Sequence, residues 1–269
     1  MALTYMDLQL SGKTAVVTGS TAGIGLAIAR ALAREGAAIV VNGRTEARVR
    51  VAAEDVRRAA PGARVSGVAT DLGTAAGVAA LIARVPATDI LVNNLGVYAA
   101  KPFSDITDAE WSGIFETNVL SGVRLARHYL PGMFARNWGR VIFISSESAV
   151  QIPAEMIHYG VTKIAQVGLA RGLAETTAGT GVTVNSVLAG PTGSEGVAGF
   201  VEQLARQRGV AAQEVEREFF QTARPSSLLR RFASPDEVAA LVAFVASPLS
   251  SATNGAALRA DGGVVRAAL

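Results

Sequence analysis

Residues 18–25 read Thr-Gly-Ser-Thr-Ala-Gly-Ile-Gly and follow a short apolar run, residues 15–18, with the length of a buried strand. A helical pattern starts at the last glycine. In such a unit Gly19 permits the tight turn, Gly23 lets a pyrophosphate approach the backbone, and Gly25 allows helix and strand to pack closely. The helix N-terminus offers free N–H groups and a partial positive charge to the phosphates. The stretch therefore predicts a dinucleotide-binding strand–turn–helix unit.

The same alternation of strand and helix patterns continues along the chain. The apolar runs are continuous rather than alternating, as in strands that are covered on both faces. Thr107 with Glu110, and Ser234 with Glu237, have the spacing of helix capping boxes. The sequence predicts an α/β fold: a doubly wound parallel sheet of the Rossmann type, with about seven strands and helices on both faces. The further strands are expected at residues 39–42, 65–69, 90–93, 141–145, 183–188 and 257–259, and the helices at about 25–34, 46–60, 75–85, 109–135, 157–177 and 235–246.

No linker or internal repeat divides the 269 residues. The one irregular stretch, residues 189–227, holds four glycines at intervals of three residues before a charged helical segment. A long connecting segment that leaves the end of a strand usually covers a ligand site in such sheets. We expect a single dinucleotide-binding catalytic domain over residues 1–269, in which residues 189–227, hereafter the lid segment, form a mobile cover.

Composition excludes several other classes of protein. Half of the residues are hydrophobic, 17% are charged, cysteine is absent and there are two histidines, which argues against disorder, a disulfide framework and a metal site. The net charge of +3 is spread along the chain as arginine, so nucleic-acid binding has no support. No apolar run reaches the ~18 residues of a membrane span, and residues 1–13 lack the pattern of a signal peptide. We expect a cytoplasmic protein with no membrane or nucleic-acid partner.

The second predicted strand ends in Asn42-Gly43-Arg44. An acidic residue at this place holds the ribose hydroxyls of NAD, whereas an arginine can make a bidentate contact with the 2′-phosphate of NADP. Arg44 therefore favours NADP, and NAD is the alternative.

Tyr159 and Lys163 are four residues apart in a helical pattern, so their side chains share one face. A phenol has an ordinary pKa of about 10. An ammonium ~4 Å away favours the phenolate by about 4 kcal/mol at an effective dielectric constant of about 20. That corresponds to a fall of up to roughly three pKa units. We expect Lys163 to lower the pKa of Tyr159 and Tyr159 to act as a general acid or base.

Together these features resemble the short-chain dehydrogenase/reductase family, and the resemblance covers almost the whole chain. Asp71-Leu72 resembles the family's adenine-contacting pair. Residues 93–96, Asn-Asn-Leu-Gly, resemble its Asn-Asn-Ala-Gly, with Leu95 in place of alanine. Residues 189–190 resemble its Pro-Gly motif, with Ala189 in place of proline. The resemblance implies cofactor contacts at Gly19, Ser20, Gly23, Ile24, Gly25, Arg44, Asp71, Leu72, Asn94, Gly96, Tyr159, Lys163, Gly190 and Thr192.

The resemblance also implies four catalytic residues. Tyr159 exchanges the proton, Lys163 holds the ribose and tunes Tyr159, and Asn118 supports a water-mediated proton relay. Ser146 hydrogen-bonds the substrate oxygen. Ser145 is the alternative serine, but the spacing of thirteen residues to Tyr159 favours Ser146.

We therefore expect an NADP-dependent oxidoreductase that transfers a hydride between the nicotinamide and a carbonyl or secondary alcohol, such as a ketone, an oxoacyl group or a sugar. The alternatives are an NAD-dependent alcohol dehydrogenase of the same family and a non-catalytic dinucleotide-sensing regulator. The resemblance also implies a homotetramer in which the helices at about 109–135 and 157–177 pair between subunits.

Overall fold

A seven-stranded parallel sheet forms the centre of the computed structural model, which describes residues 6–268 apart from the side chain of Phe200. Residues 1–13 were predicted not to form a signal peptide, and the first five of them lie outside this range. The strand order is β3-β2-β1-β4-β5-β6-β7 and every neighbouring pair is parallel, so the predicted sheet is confirmed. The strands are β1 (Thr14–Val17), β2 (Ala38–Gly43), β3 (Val65–Ala69), β4 (Ile90–Asn93), β5 (Gly139–Ser146), β6 (Val182–Ala189) and β7 (Ala257–Ala260).

The helices cover both faces of the sheet, as predicted for a doubly wound fold. They are α1 (Gly23–Arg34), α2 (Glu46–Ala59), α3 (Ala75–Arg84), α4 (Asp108–Phe115), α5 (Ser121–Ala135), α6 (Ile157–Glu175), α7 (Glu195–Arg208), α8 (Ala212–Thr222) and α9 (Pro235–Ala246). Both predicted capping boxes form, at the starts of α4 and α9. Among the described residues, no helix combines the length and the hydropathy needed to cross a bilayer.

Successive residues of a strand pack into two separate cores, because adjacent side chains of a strand point to opposite faces of the sheet. Val17 packs with α1, α2 and α9, whereas Val16 packs with α3, α5 and α6. The same division holds for Ile142 and Phe143 in β5. Full burial of side chains of this size contributes about 1.5–3 kcal/mol each to the stability of the fold. Apolar strand residues therefore stabilise the packing of helices on both faces of the sheet.

The helix predicted as continuous over about 109–135 is interrupted. A π-helical turn at Glu116–Leu120 separates α4 from α5. Asn118 lies within this turn and is buried, and its side chain pairs with the backbone of Val97: Oδ1 accepts from Val97 N at 2.8 Å and Nδ2 donates to Val97 O at 2.9 Å. The wider turn thus coincides with an inserted side-chain contact, which is a common cause of such interruptions.

The order of the strands fixes where a ligand can bind. The chain runs outward from β1 to β3 and then returns to β4 on the other side of β1. In sheets of this kind the crevice lies at this reversal, beyond the carboxyl ends of the strands. The lid segment leaves the end of β6 and contains two helices, α7 and α8, where the sequence indicated one charged helical segment. Phe219 of α8 stacks on Phe232 at 5.2 Å between ring centres.

Candidate active site

The glycine turn after β1 has the backbone that its residues predicted. Gly19 and Gly23 adopt positive φ angles of 60° and 54°, which favour glycine. A Cβ atom on Gly25 would lie 2.4 Å from Asn94 Nδ2 and 2.7 Å from Gly19 O. Asn94 Nδ2 donates to Thr18 O at 2.9 Å and to Gly19 O at 3.2 Å. Asn94 therefore closes the turn from the end of β4, because its side-chain amide nitrogen donates to two backbone oxygens of the turn.

The N-terminus of α1 is suited to bind an anion. Five helices (α2, α3, α4, α7 and α9) are preceded by a serine or threonine whose side chain caps them, whereas α1 is preceded by Ala22 and has no side-chain cap and no acidic residue in its first turn. Its first N–H groups are therefore free for a ligand. This arrangement fits the pyrophosphate of a dinucleotide.

Ser20 has a different role from the one expected. Its Oγ donates to Val17 O at 2.7 Å and accepts from Asn42 N at 3.0 Å. Ser20 is fully buried, and its backbone N also donates to Asn42 O at 2.9 Å, so both its hydroxyl and its N–H group join the turn to β2. Ile24, by contrast, lines a cavity beside the turn.

The predicted adenosine contacts lie at the carboxyl ends of β2 and β3. Arg44 is exposed directly after β2 and makes no ion pair within the described part of the chain. Asp71 is also exposed, and its Oδ1 accepts from Gly73 N at 3.0 Å. Leu72 is buried in the core, so only its backbone can reach a cofactor.

A cavity of about 170 Å³ brings three of the four predicted catalytic side chains, all except Asn118, together with several of the predicted cofactor residues. Ser146, Tyr159 and Lys163 line it with Ile24 and Asn94. A Cβ atom on Gly96 would lie 3.4 Å from Lys163 Nζ, so glycine keeps the approach to the lysine open. The remaining lining residues are Gly96, Tyr98, Ile144, Ser145, Ala189 and Gly190.

The two adjacent serines have separate partners. Ser145 Oγ donates to the backbone oxygen of Lys163 at 2.9 Å and is buried. Ser146 lines both the small cavity and a larger one, and its hydroxyl donates to the carboxylate of Glu147. Ser146 is therefore the serine whose hydroxyl lies at the site, as the spacing to Tyr159 indicated.

A buried glutamine links Lys163 to Asn118. Lys163 Nζ donates to Ile144 O at 2.9 Å and to Gln166 Oε1 at 3.1 Å, and Gln166 Nε2 donates to Asn118 O at 2.6 Å. Asn118 Nδ2 also donates to Thr162 Oγ1 at 3.0 Å. Gln166 was not predicted from the sequence, although its position three residues after Lys163 puts both side chains on one helix face.

The expected effect of Lys163 on Tyr159 is wrong for this state of the protein. Burial raises the pKa of Tyr159 above its ordinary value; a hydrogen bond with Ser146 and the charge of Arg224 oppose the rise, and the charge of Glu147 adds to it. Lys163 Nζ lies 5.5 Å from the centre of the tyrosine ring and is turned towards its own acceptors. Burial also lowers the pKa of Lys163 to about 8. Tyr159 is therefore a neutral phenol, which can donate a proton.

A larger cavity of about 650 Å³ adjoins the first. Tyr98, Ser146, Tyr159 and Gly190 line both. The lid segment supplies a mostly apolar wall with Val197, Val201, Leu204, Val215 and Phe219. The floor, at the end of β5, is polar: Glu147 lies there and forms a largely buried ion pair with Arg224 of the lid segment.

The residues after β6 hold this edge of the cavity by backbone contacts. Gly190 N donates to Ala260 O at 3.1 Å, and a Cβ atom on Gly190 would lie 2.5 Å from Asp261 O. Thr192 Oγ1 donates to Gly190 O at 2.9 Å. Ala189, in place of the family's proline, continues β6 in register with Ser146 and Ala260.

Comparison with known proteins gives one consistent result. The family model for short chain dehydrogenases matches residues 13–205. The chain is 49% identical over 261 residues to the uncharacterized oxidoreductase YvaG of Bacillus subtilis, covering 97% of this chain and 99% of that protein. It is 36% identical over 261 residues to a D-beta-hydroxybutyrate dehydrogenase of Cupriavidus necator, covering 96% and 99%.

A solved structure agrees with these relatives. The L-sorbose reductase of Gluconobacter frateurii, complexed with NADPH and L-sorbose, has a TM-score of 0.92 and 34% identity, covering 97% of this chain and 100% of that one. The matched family model spans the glycine turn, the strand that ends in Ser146 and the helix with Tyr159 and Lys163. The chain is an oxidoreductase that belongs to the short-chain dehydrogenase/reductase family.

Proposed function

We propose that the protein is a cytoplasmic NADP-dependent reductase that converts a carbonyl compound to the secondary alcohol, with Tyr159 as the proton donor. One observation carries the proposal: Ser146, Tyr159 and Lys163 line the same cavity as Ile24 of the glycine turn. Proton donor, carbonyl-binding hydroxyl and cofactor residues thus meet at one place.

The residues around the glycine turn suit NADP. The uncapped start of α1 would receive the pyrophosphate, Arg44 the 2′-phosphate, and Lys163 beside Gly96 the ribose. When bound, the cofactor supplies the hydride that reaches the substrate carbon. The NADPH complex of L-sorbose reductase supports this choice of cofactor.

Two side chains of the protein, Ser146 and Tyr159, would act on the substrate oxygen. Ser146 would donate a hydrogen bond to the carbonyl oxygen and so favour the negative charge that develops there. Tyr159, a neutral phenol with a raised pKa, would then give its proton to that oxygen. An alkoxide is a stronger base than a phenolate, so this transfer is favourable. The nearby Lys163 would stabilise the phenolate that remains.

The apolar wall of the larger cavity indicates the kind of substrate. A volume of about 650 Å³ falls in the range of pockets for small organic ligands. Since Val197, Val201, Leu204 and Phe219 face the cavity, we propose a ketone or oxoacyl compound with an apolar part that packs against the lid segment. Glu155, Arg208 and Glu218 also line this cavity and would meet the polar part of such a substrate.

The test is NADPH consumption by the purified protein with a panel of oxoacyl thioesters, cyclic ketones, quinones and sugars, with NADH in parallel. We expect turnover with NADPH on an apolar ketone or oxoacyl compound. Turnover with NADH alone would favour an NAD-dependent alcohol dehydrogenase. NADPH binding without turnover on any compound would favour the sensing regulator and contradict the proposal.

The variant Tyr159→Phe tests whether Tyr159 is the proton donor. It removes only the hydroxyl, so we expect turnover to be abolished while NADPH binding, followed by its fluorescence, stays at the wild-type level. Unchanged turnover in this variant would exclude Tyr159 as the proton donor.

A further inference from the structure

A buried ion pair joins the lid segment to the strand that carries Ser146. Glu147 directly follows β5, and Arg224 lies two residues beyond the end of α8. Arg224 Nε donates to Glu147 Oε1 at 2.9 Å, and the two side chains are only 11% and 5% exposed. Both residues line the larger cavity. The pair therefore connects the cover of the cavity to its floor.

The two oxygens of the Glu147 carboxylate have different partners. Oε1 accepts from Arg224, whereas Oε2 accepts from the Ser146 hydroxyl and from Ser148, whose N lies at 2.8 Å and Oγ at 3.2 Å. A serine hydroxyl has a single proton to donate. Ser146 therefore cannot donate to Glu147 and to a substrate carbonyl at the same time, and the two acceptors compete for it.

The negative charge on Glu147 decides this competition. Hydrogen bonds to an ionised acceptor are roughly twice as strong as those between neutral groups, so an unpaired carboxylate would hold the Ser146 hydroxyl against a neutral ketone. The guanidinium of Arg224 donates to the same carboxylate and weakens it as an acceptor. The same charges also act on Tyr159, whose pKa is raised by Glu147 and lowered by Arg224.

On the basis of the proposed carbonyl reduction, we propose that Arg224 is a positioning residue: by pairing with Glu147 it weakens the hydrogen bond that this carboxylate accepts from Ser146, so that a substrate carbonyl can displace the carboxylate from the hydroxyl. Arg224 belongs to the lid segment, where its backbone N donates to Phe219 O at 3.0 Å and its guanidinium lies 5.9 Å from the Phe219 ring centre. The contact between Arg224 and Glu147 thus links the lid segment to Ser146, and Arg224 Nη1 also lies 3.6 Å from Glu155 Oε1.

The test compares Arg224→Gln with the double variant Glu147→Gln/Arg224→Gln, measuring kcat and KM for the best carbonyl compound with NADPH. We expect Arg224→Gln to lower kcat by about tenfold or more, towards the ~10²-fold loss seen when an oxyanion donor is removed, while KM changes little. The double variant lacks the carboxylate that holds Ser146, so it should recover most of the lost kcat. Its two glutamines can hydrogen-bond to each other, and thermal melts check that it is folded.

The outcomes separate a positioning role from two others. A double variant as slow as Arg224→Gln would mean that Arg224 is only structural, and would overturn the inference. A rise in KM confined to substrates that carry a carboxylate would mean that Arg224 binds substrate directly, which also overturns it. The control is Arg206→Gln: Arg206 is an exposed residue of α7 whose Nη1 lies 3.8 Å from Glu202 Oε2, and its loss should leave kcat unchanged.

Failure of the inference can be distinguished from failure of the proposed function. An active wild-type protein with an unrescued double variant contradicts the role of Arg224 alone. A wild-type protein that binds NADPH but turns over no carbonyl compound contradicts the proposed function and the role of Arg224 with it.

Discussion

Lys163 is buried, and its ammonium hydrogen-bonds to two neutral oxygens, Ile144 O and Gln166 Oε1. Burial lowers its pKa from the ordinary 10.5 to about 8. Between these values the unfolded chain binds more protons than the folded protein, and stability rises with pH wherever that holds. Burial raises the pKa values of Tyr159 and Tyr129 in the folded protein. Above about pH 10 the folded protein therefore binds more protons at these groups than the unfolded chain, and their titration lowers the stability as the pH rises.

We therefore expect the free energy of unfolding of the cofactor-free protein to rise between about pH 8 and pH 10. Lys163→Met removes the titrating group and should abolish this rise. Urea unfolding at three pH values across the window measures it. As a control, Lys101→Met at the surface should keep the wild-type rise. An equal rise in the Lys163→Met protein would show that another group is responsible.

At the scale of single residues, the sequence indicated the groups that face the cavity but not the groups behind them. Ser146, Tyr159 and Lys163 could be identified because their order and short spacing match the motif of the family that the chain resembles. Gln166 and Glu147 depend on contacts with Asn118 and Arg224, which lie 48 and 77 residues away. Spacing carries no information about such contacts, or about the burial that raises the pKa of Tyr159.

At the scale of elements, the glycine turn is held by packing as much as by backbone freedom. Gly25 lies against Asn94 Nδ2, which closes the turn through Thr18 O and Gly19 O. A methyl group at residue 25 must displace that amide, and the displaced partners are part-buried. The cofactor site and the stability of the fold thus depend on the same contact.

The variant Gly25→Ala should therefore lose both stability and cofactor affinity. We expect a fall of about 1–3 kcal/mol in the free energy of unfolding, the range for buried polar groups left without partners, and weaker NADPH binding in a fluorescence titration. Gly113→Ala is the control, since a Cβ atom there meets nothing within 4 Å. Replacing this helical glycine should add up to about 1 kcal/mol of stability and leave binding unchanged. Wild-type affinity in Gly25→Ala would contradict the role of this packing.

The strands and helices were mostly predictable because their apolar patterns are long and their caps explicit. The π-helical turn at Glu116–Leu120 was not, since the apolar pattern continues on both sides of it and only the contact of Asn118 with Val97 reveals it. The two helices of the lid segment were predicted as one, because a connection of only three residues, 209–211, separates two charged helical stretches.

At the scale of the whole molecule, large apolar side chains remain exposed on the helices predicted to pair between subunits. Leu120 in the π-helical turn is 38% exposed and Ile164 in α6 is 44% exposed. Coverage of these two side chains by another chain would remove apolar area from water, which favours association. It supports the homotetramer that we propose from the family resemblance.

Ile164→Glu should therefore lower the molar mass in solution. A charge buried at a subunit interface without a partner is unfavourable, so we expect dimers or monomers by light scattering, where the wild-type protein gives four chain masses. Val51→Glu is the control, because Val51 is an exposed apolar residue on α2, outside the predicted interface. A wild-type monomer, or an unchanged mass in Ile164→Glu, would contradict this assembly.

The closure of the glycine turn by Asn94 also has a consequence during synthesis on the ribosome. The hydrogen bond from Asn94 to Gly19 spans 75 residues. A nascent chain that has exposed only β1, β2 and β3 has the glycines but lacks the amide that holds their turn in place. Since chains fold from the N-terminus as they emerge, nucleotide capture has to wait until β4 has left the exit tunnel, although the binding motif itself is among the first parts made.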